Sequence, residues 1–479
     1  MMELNLKPYH NLRYIGILTL GILITLIAVL ANSTDIKALE APKQELWRVY
    51  SLWGGVALVG YAASFASDIL HYIKKFSLEY LPDLLLMVGI ASWGYNVWWM
   101  ENAEIAYLVL CLGLLLWRRQ LHFRQISTVH WACIIYAITT ALGVLWSGYP
   151  KLGMKFVEKQ LMLVLLPLSA GIVSLSKAQV LRVSWIVLRI CLSFLVLQTM
   201  LYLYLVTAYS DGILDGFTIN KFYLRDFPET TVYNILMTWT NMEHPSYHLL
   251  FFSAPWATIL GLSSRLRKGL RLELGLYYLF LAIFTIITQA RYGFWVLGLL
   301  PLLALVGYAR PSHYTRKQIL IAGSAVATIL VATLCYLHQR GIFEDGPRLE
   351  MFAYAMELIK RHGILGAGTG TDYTLFMERF GQPHSHNTFL SVAIDTGLLG
   401  VTAMLALVGS TVYAAARYGN RAVLYWMLLL LPMMLIDSPF YVPRIVYPMA
   451  LYFLILGGNH LAHGDRKQEA HSTVSPPIQ

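Results

Sequence analysis

The chain has 479 residues, of which 57% are hydrophobic and only 13% are charged. A soluble protein carries about twice that charged fraction, so the composition excludes an ordinary soluble enzyme. The formal net charge is +10, but the basic residues cluster in short connections between apolar runs. This distribution is typical of the cytoplasmic loops of membrane proteins and argues against a nucleic-acid partner.

Apolar runs long enough to cross a membrane recur from one end of the chain to the other. The predicted spans are 14–31, 49–67, 81–99, 104–117, 128–147, 157–174, 184–208, 246–263, 272–289, 292–309, 318–337, 386–414, 422–437 and 444–460. Alternating them from a cytoplasmic N-terminus places the basic clusters inside. No small-residue cleavage site follows the first run, which therefore indicates a retained helix. The fold class predicted is an all-α polytopic membrane protein with about 12–14 transmembrane helices, the run at 104–117 being short.

Two non-cytoplasmic segments are long enough to form structure, 209–245 and 338–385. The predicted organisation is an N-terminal transmembrane bundle at 1–337 that includes 209–245, a periplasmic helical loop at 338–385, C-terminal transmembrane helices at 386–460, and a disordered cytoplasmic tail at 461–479. The four cysteines lie in apolar segments at irregular spacing, so neither a disulfide framework nor a zinc site is expected.

The loop at 338–385 has a helical pattern. In "EDGPRLEMFAYAMELIKRHG", Pro347 suits a first helical turn and Gly363 suits a helix end. Its apolar residues at helical spacing are Leu349, Phe352, Met356 and Ile359. This pattern predicts an amphipathic helix on the outer membrane boundary, followed by a second short helix at "DYTLFMERF". The stretch "GILGAGTGTD" between them is interpreted as a flexible connection.

Several polar residues fall on the non-cytoplasmic side, close to the predicted membrane boundary. They are Arg225, Glu243, His244, His248, Arg291, Arg348, His384, His386 and Arg444. Arginine near a helix end often extends to lipid phosphates, which is the alternative for Arg225 and Arg444. His384 and His386 resemble a metal-binding pair, but no carboxylate or third ligand is near them in sequence, so no metal is expected. His244 and His248 are better explained by a helix start at Pro245.

Two or three arginines with a histidine indicate a particular chemistry. Guanidinium groups bind phosphate oxygens in pairs, and a neutral imidazole can accept a proton from a hydroxyl group. Together they describe a site that holds a lipid-linked diphosphate while an alcohol attacks the anomeric carbon of the attached sugar. The arginines stabilise the charge that develops on the departing diphosphate. This reaction needs no metal and no other cofactor.

The stretch "HNTFLSVAIDTGLLG" resembles the pattern of the O-antigen ligase and polymerase superfamily. That pattern is His, a small polar residue, nine positions, Gly, two positions, then Gly, Thr or Tyr, and here it falls on His386, Asn387, Gly397 and Gly400. "GPRLEMFAYAMELIKRHGILGAGTGTDY" is similar to the outer loop of the family. "TQARYGFWV" is similar to its arginine turn, although Trp295 stands where an aliphatic residue is usual. The resemblance is specific over roughly 285–400.

The resemblance implies a GT-C-like membrane glycosyltransferase of the bacterial inner membrane, with its site facing the periplasm. It implies transfer of glycan from undecaprenyl diphosphate to a lipid A–core hydroxyl. His386 would be the catalytic base, and Arg291 and Arg348 would hold the diphosphate. Asn387 would orient the histidine or cap the next helix, and Gly397 and Gly400 would allow close helix packing.

Arg225 and His384 are further candidates for substrate binding. Within the superfamily the acceptor could instead be another repeat unit, as in a polymerase, or a protein hydroxyl, as in an O-oligosaccharyltransferase. A transporter is the alternative from a different class, and it would place ionisable residues within several spans. Arg189 in "WIVLRICL" is the best such residue, but it lies close enough to a span end to extend to the surface.

Overall fold

A computed structural model of the chain describes residues 81–92, 97–209, 217–218, 221–224, 227–231, 244–263, 268–288, 290–308 and 346–462. The predicted spans at 14–31, 49–67 and 318–337 lie outside the described residues, as do Arg225 and most of the predicted tail.

The regular secondary structure of the described residues is helical except for one small sheet. The helices are α1 (Leu81–Ser92), α2 (Val97–Arg118), α3 (Thr128–Gly143), α4 (Pro150–Gln160), α5 (Met162–Ser169), α6 (Lys177–Tyr209), α7 (Pro245–Leu262), α8 (Lys268–Thr288), α9 (Arg291–Tyr308), α10 (Gly346–His362), α11 (Thr371–Phe380), α12 (Thr388–Tyr418), α13 (Arg421–Ile436) and α14 (Pro443–Leu456). Short 3₁₀ turns occupy Phe123–Gln125, Val144–Trp146, Pro439–Tyr441 and Asn459–Ala462.

Five helical segments are long and apolar enough to cross a membrane, namely Trp99–Arg118, Thr128–Trp146, Lys177–Val196, Leu270–Thr288 and Thr388–Tyr418. Arg291–Leu305, Arg421–Ile436 and Arg444–Leu456 are shorter apolar helices. The prediction of a helical membrane protein is thereby confirmed. The apolar run at 104–117, which looked short, lies inside the 22-residue helix α2.

The predicted span at 157–174 has different bounds in the structure. The helix begins earlier, at Pro150, is interrupted at Leu161, and ends at Ser169. It runs alongside α3 in the opposite sense: Gly153 lies against Val144 just beyond the end of α3, and Gly171 lies against Ile126 just before its start. Apolarity alone placed the start too late because the first half of this helix carries charged residues.

A three-stranded antiparallel sheet lies within the segment 209–245. Strand β1 (Phe217–Thr218) pairs with β2 (Lys221–Leu224), and β2 pairs with β3 (Phe227–Thr231). The sequence predicted structure in this segment but not its type.

The described residues divide into two compact units. The first contains those up to Glu104 together with Trp185–Pro255 and Arg265–Gly298. The second contains Ile105–Ser184, Trp256–Ser264 and those from Leu299 onward.

In the first unit, Arg189 does not extend to the surface, so that expectation was wrong. Its Nε and Nη2 donate to the two carboxylate oxygens of Glu273, at 2.5 and 3.0 Å, and its side chain is only 3% exposed. Guanidinium and carboxylate match each other in this two-bond geometry, which offsets the cost of removing both charges from water. The pair joins α6 to α8 and therefore has a structural explanation.

The first unit also shows the roles of the two histidines at the start of α7, His244 and His248. His244 lies just before the helix, and its Nδ1 accepts a hydrogen bond from the backbone N–H of Ser246 at 3.3 Å. His248 is buried, with its ring stacked on Phe194 and edge-on to Phe252. Both roles are structural, as expected from a helix start at Pro245.

In the second unit, α10 packs against α11 and α12 through a face that the sequence did not predict. The shared core contains Met351, Ala355, Leu358, Phe376 and Ile394. Of the predicted apolar face, Ile359 packs against this core, whereas Leu349 and Met356 are exposed. The helix therefore has two apolar sides, and its exposed one suits the membrane boundary that the sequence indicated.

The glycine-rich stretch between α10 and α11, residues 363–370, is called the glycine turn. It was predicted to be a flexible connection, and that prediction was wrong. Ala367 and Gly368 donate backbone hydrogen bonds to the carbonyls of Ile394 and Asp395, at 2.7 and 2.8 Å, and Leu398 donates to Ile364 at 2.7 Å. The turn thus pairs with α12 almost as one strand pairs with another.

A kink at Gly397 makes this pairing possible. Its φ of 59° and ψ of −146° are not helical, so the neighbouring carbonyls and N–H groups of α12 turn away from their own helix and toward the glycine turn. Only glycine adopts this backbone region readily. Gly397 therefore forms a kink, whereas the sequence predicted a site of close helix packing. Gly400 leaves room for the side chain of Thr396 in the same helix.

We expect Gly397→Ala to remove most of the folded protein. A Cβ there would lie 2.0 Å from the carbonyl oxygen of Ile364, and this clash adds to a backbone cost of about 1–3 kcal/mol. Gly409→Ala in the same helix is the matched control, since nothing lies within 4 Å of its added Cβ. Size-exclusion profiles and melting temperatures in detergent report the outcome, and wild-type values for Gly397→Ala would contradict the assigned kink.

Candidate functional site

Two segments of the second unit converge on a cluster of three ionisable side chains. His384 and His386 precede α12, and Asp437 directly follows α13. The Nε2 atom of His384 lies 3.4 Å from Oδ1 of Asp437, and Nδ1 of His386 lies 3.5 Å from the same oxygen. We call these three residues the His-Asp cluster.

Asn387 fixes this cluster at the start of α12. Its side-chain oxygen accepts hydrogen bonds from the N–H groups of Phe389 and Leu390, at 3.0 and 3.1 Å, which is the usual role of an N-cap residue. Its amide nitrogen donates to the carbonyl of Leu435 at 3.1 Å. Of the two roles predicted for Asn387, capping is confirmed, and the same side chain also ties α12 to the end of α13.

Serine and threonine side chains reinforce the junction. Thr388 donates to the carbonyl of Asp437 at 3.1 Å. A chain of buried hydroxyls continues from Ser385 to Ser391 at 2.9 Å and from Ser391 to Ser438 at 3.1 Å. The backbone of the two histidines and that of Asp437 are therefore held together independently of the contact between their side chains.

His386 has a backbone conformation that is uncommon for its residue type. Its φ is +54°, in the left-handed region that favours glycine, and a non-glycine residue there costs about 1–2 kcal/mol. Its side chain is 19% exposed, and Nε2 lies 3.4 Å from Oε1 of Gln382. Strain at a partly exposed imidazole is commonly found at functional sites.

Burial and charge set the protonation of the other two members. Burial lowers the pKa of His384 from 6.5 to about 4, and the positive charge of Arg348 contributes to the same shift. Burial by itself would raise the pKa of Asp437, but the contact with His386 and the N–H of Ser438 outweigh it and hold that pKa well below its usual range. Near neutral pH, His384 is therefore neutral and Asp437 is ionised.

The pH dependence of stability follows from His384. Because its pKa is lower in the folded protein, the unfolded chain binds a proton first as the pH falls, and stability is lost between pH 6.5 and about 4. We expect this loss to reach at most about 3 kcal/mol. Melting temperatures of wild type and His384→Gln, measured from pH 7 to pH 4.5, should converge toward acid. Parallel curves would contradict a buried neutral His384.

Asp437 is the functional candidate that sequence reasoning missed. The histidine pair was judged to lack a nearby carboxylate, and the structure corrects that judgement: the carboxylate comes from a residue about fifty positions later. One signal was present, because Asp437 is the only acidic residue between 396 and 464. A lone carboxylate at the end of an apolar run is uncommon and marks a functional candidate.

The cluster offers two imidazole nitrogens and one carboxylate oxygen, all within 4.8 Å of one another. Such a set could hold a divalent cation, since metal ligands of these types bind at about 2.0–2.2 Å and so lie a little over 3 Å apart. The same contacts are also those of a carboxylate that orients a histidine base, as in hydrolytic triads. The distances fit both a cation site and a histidine base oriented by a carboxylate. The effect of a chelator on activity distinguishes the two.

A buried carboxylate of α12 holds the N-terminus of α11. The side chain of Asp395 accepts hydrogen bonds from the N–H groups of Gly370 and Asp372, at 3.1 and 2.9 Å, at the N-terminus of α11. There it complements the positive end of the helix dipole. Burial, together with the charge of Asp395, raises the pKa of Asp372 well above its usual range, which favours the neutral form of its carboxyl.

The structure brings several of the predicted site residues together in the second unit. Arg348 stands in the first turn of α10, near enough to His384 for its charge to act there. Arg291 belongs to the first unit, where it begins α9 and is exposed. Helix α8 ends at Thr288, which confirms the predicted tight arginine turn.

Comparison with known proteins adds no assignment. No model of a known protein family matches the chain, and no curated protein matches it.

Proposed function

We propose that the protein is an O-antigen ligase of the bacterial inner membrane. It transfers glycan from undecaprenyl diphosphate to a sugar hydroxyl of lipid A–core on the periplasmic side. The observation that carries the proposal is the contact between the imidazole of His386 and the ionised carboxylate of Asp437, 3.5 Å apart. It supplies the oriented base that the sequence pattern alone left without a partner.

His386 is the base in this proposal. In the reacting tautomer the proton of the neutral ring is on Nδ1, which faces Asp437 at 3.5 Å. The lone pair of Nε2 is then available to the acceptor hydroxyl once the side-chain oxygen of Gln382, 3.4 Å from Nε2, has moved aside. The acceptor oxygen attacks the anomeric carbon while Nε2 takes its proton. The bond from the anomeric carbon to the phosphate oxygen breaks, and its electron pair leaves with undecaprenyl diphosphate.

Arg348 is proposed to bind the diphosphate, and the same role for Arg291 remains what the family resemblance implies. Developing negative charge on the leaving group is stabilised by guanidinium groups already in place. Arg348 supports this role by its position at the positive end of α10 and by its electrostatic effect on His384. Neutral His384 then adds no positive charge of its own, and its Nε2 faces the same Asp437 oxygen as Nδ1 of His386.

The experiment is transfer by purified protein in liposomes. Undecaprenyl-diphosphate-linked glycan and lipid A–core are supplied without an ion gradient, and products are separated on a gel. Glycosylated lipid A–core is expected. Glycan chains lengthened in the absence of lipid A–core would instead indicate a polymerase, and transfer to a supplied acceptor protein an O-oligosaccharyltransferase. No product of any kind would contradict a glycosyltransferase and favour the transporter alternative.

A further inference from the structure

Helix α4 carries a row of lysines that the site described above does not use. Lys151, Lys155 and Lys159 follow one another at intervals of four residues, so they share one side of the helix over about 12 Å of its length. Lys151 and Lys155 are exposed, and Lys159 is partly exposed with its amine 5.7 Å from the ring centre of Phe156. We call these three residues the lysine row.

The rest of α4 divides into two further faces. Gly153, Phe156 and Gln160 are buried against the second unit, while Met154 and Leu161 are 57% and 47% exposed. One side of α4 thus contacts protein, one suits lipid, and one is basic. Glu158 is the only acidic residue of the helix, so the lysine row retains an excess of positive charge.

The position of α4 makes this excess unusual. The helix runs alongside α3, which belongs to a candidate membrane span. At the far end of α4, Gln160 donates a hydrogen bond to the carbonyl of Phe440. The ring of Phe440 contacts Tyr136 in the middle of α3. A lysine facing hydrocarbon at the centre of a span costs about 2.5–3.5 kcal/mol. The row is therefore expected to face water and to interact with anionic groups.

The same helix lies against the site. The ring of Phe156 is 5.6 Å from that of Tyr441 and 5.8 Å from that of Tyr373. Tyr441 lies in the 3₁₀ turn that follows Asp437, and Tyr373 lies in α11. A lipid held by the lysine row would consequently have its headgroup next to the elements that carry the His-Asp cluster.

We propose that the lysine row binds the phosphate groups of the acceptor glycolipid. This inference rests on the proposed function, because the acceptor there is a phosphorylated lipid. The donor diphosphate is assigned to the arginines, and the acceptor phosphates are the remaining anions of the reaction. They lie between its acyl chains and its outer sugars, so their binding would place those sugars toward His386 while the chains stay in the membrane.

The test compares acceptor kinetics for the variant Lys151→Gln/Lys155→Gln/Lys159→Gln with those of wild type. The KM for phosphorylated acceptor should rise about tenfold or more, since charge-assisted bonds to phosphate are lost, while the KM for donor stays unchanged. Enzymatically dephosphorylated acceptor should raise the wild-type KM similarly and affect the variant little. The corresponding triple arginine variant should restore the low KM, and Lys360→Gln on α10 controls for loss of one exposed charge.

An unchanged acceptor KM in the glutamine variant, or a rise confined to the donor, would overturn the proposal. Melting temperatures verify that the triple variant is folded, and single Lys155→Gln gives a smaller change in the same direction if it is not. Direct retention of labelled phosphorylated acceptor by purified protein provides a readout without catalysis. Retention that depends on the lysines, in a protein that transfers nothing, would uphold the binding site and reject the proposed function.

Discussion

Replacing His386 with asparagine should abolish O-antigen ligation while leaving the protein folded. Cells that carry the variant are expected to make lipid A–core without the ladder of attached glycan that a lipopolysaccharide gel displays. Asparagine is chosen because it tolerates a positive φ better than other non-glycine residues, and His386 has a φ of +54°. The variant therefore removes the base without adding strain.

Stability distinguishes a functional histidine from a structural one. The variants His386→Asn and His386→Gly relieve the backbone strain but also remove one partner of the buried Asp437 carboxylate, so they should melt close to the wild-type temperature. Gln382→Ala removes the neighbour of Nε2 without removing the base, and it should retain the ladder. A persistent ladder with His386→Asn at normal protein level would rule out the base, and a large loss of melting temperature would indicate a structural role instead.

The second large loss of glycan transfer is expected from the variant Asp437→Asn. The amide can still accept the hydrogen bond that the N–H of Ser438 makes at 2.8 Å, so the local backbone should persist. It cannot stabilise a positive imidazole, and it can leave the ring in the wrong tautomer. By analogy with the aspartate of hydrolytic triads, transfer should fall on the order of 10²- to 10⁴-fold.

Asp372→Asn is the matched control for that substitution. Asp372 is also a buried carboxyl of the second unit, and burial raises its pKa, so Asp372→Asn makes the same carboxyl-to-amide change outside the His-Asp cluster. The two variants are compared by initial transfer rates in liposomes at equal amounts of folded protein. Equal losses at both positions would indicate a general effect of polar burial and would remove the special role of Asp437.

Local patterns predicted the elements near the site well. Pro347 and Gly363 gave the extent of α10, since α10 occupies Gly346–His362, and the second short helix was expected where α11 lies. The arginine turn before α9 followed from two apolar runs with nothing between them. Each of these signals depends on residues a few positions apart, where backbone preferences act directly.

The features that escaped prediction depend on distant contacts. The glycine turn was interpreted as flexible because its glycines permit many conformations, and its order comes from backbone bonds to α12 about thirty residues later. Asp437 reaches His386 only because α12 and α13 fold back on each other. A sequence pattern indicates which residues have suitable chemistry for a site, but the contacts between distant residues depend on how the helices pack.

The measurement that tests the central claim most directly is the transfer rate of purified protein before and after removal of divalent cations with a chelator. If the His-Asp cluster acts as a base and its orienting carboxylate, the rate should be unchanged by chelation and by subsequent addition of zinc, magnesium or manganese. A rate that is lost on chelation and restored by one of these cations would identify the three side chains as metal ligands and contradict the proposed mechanism.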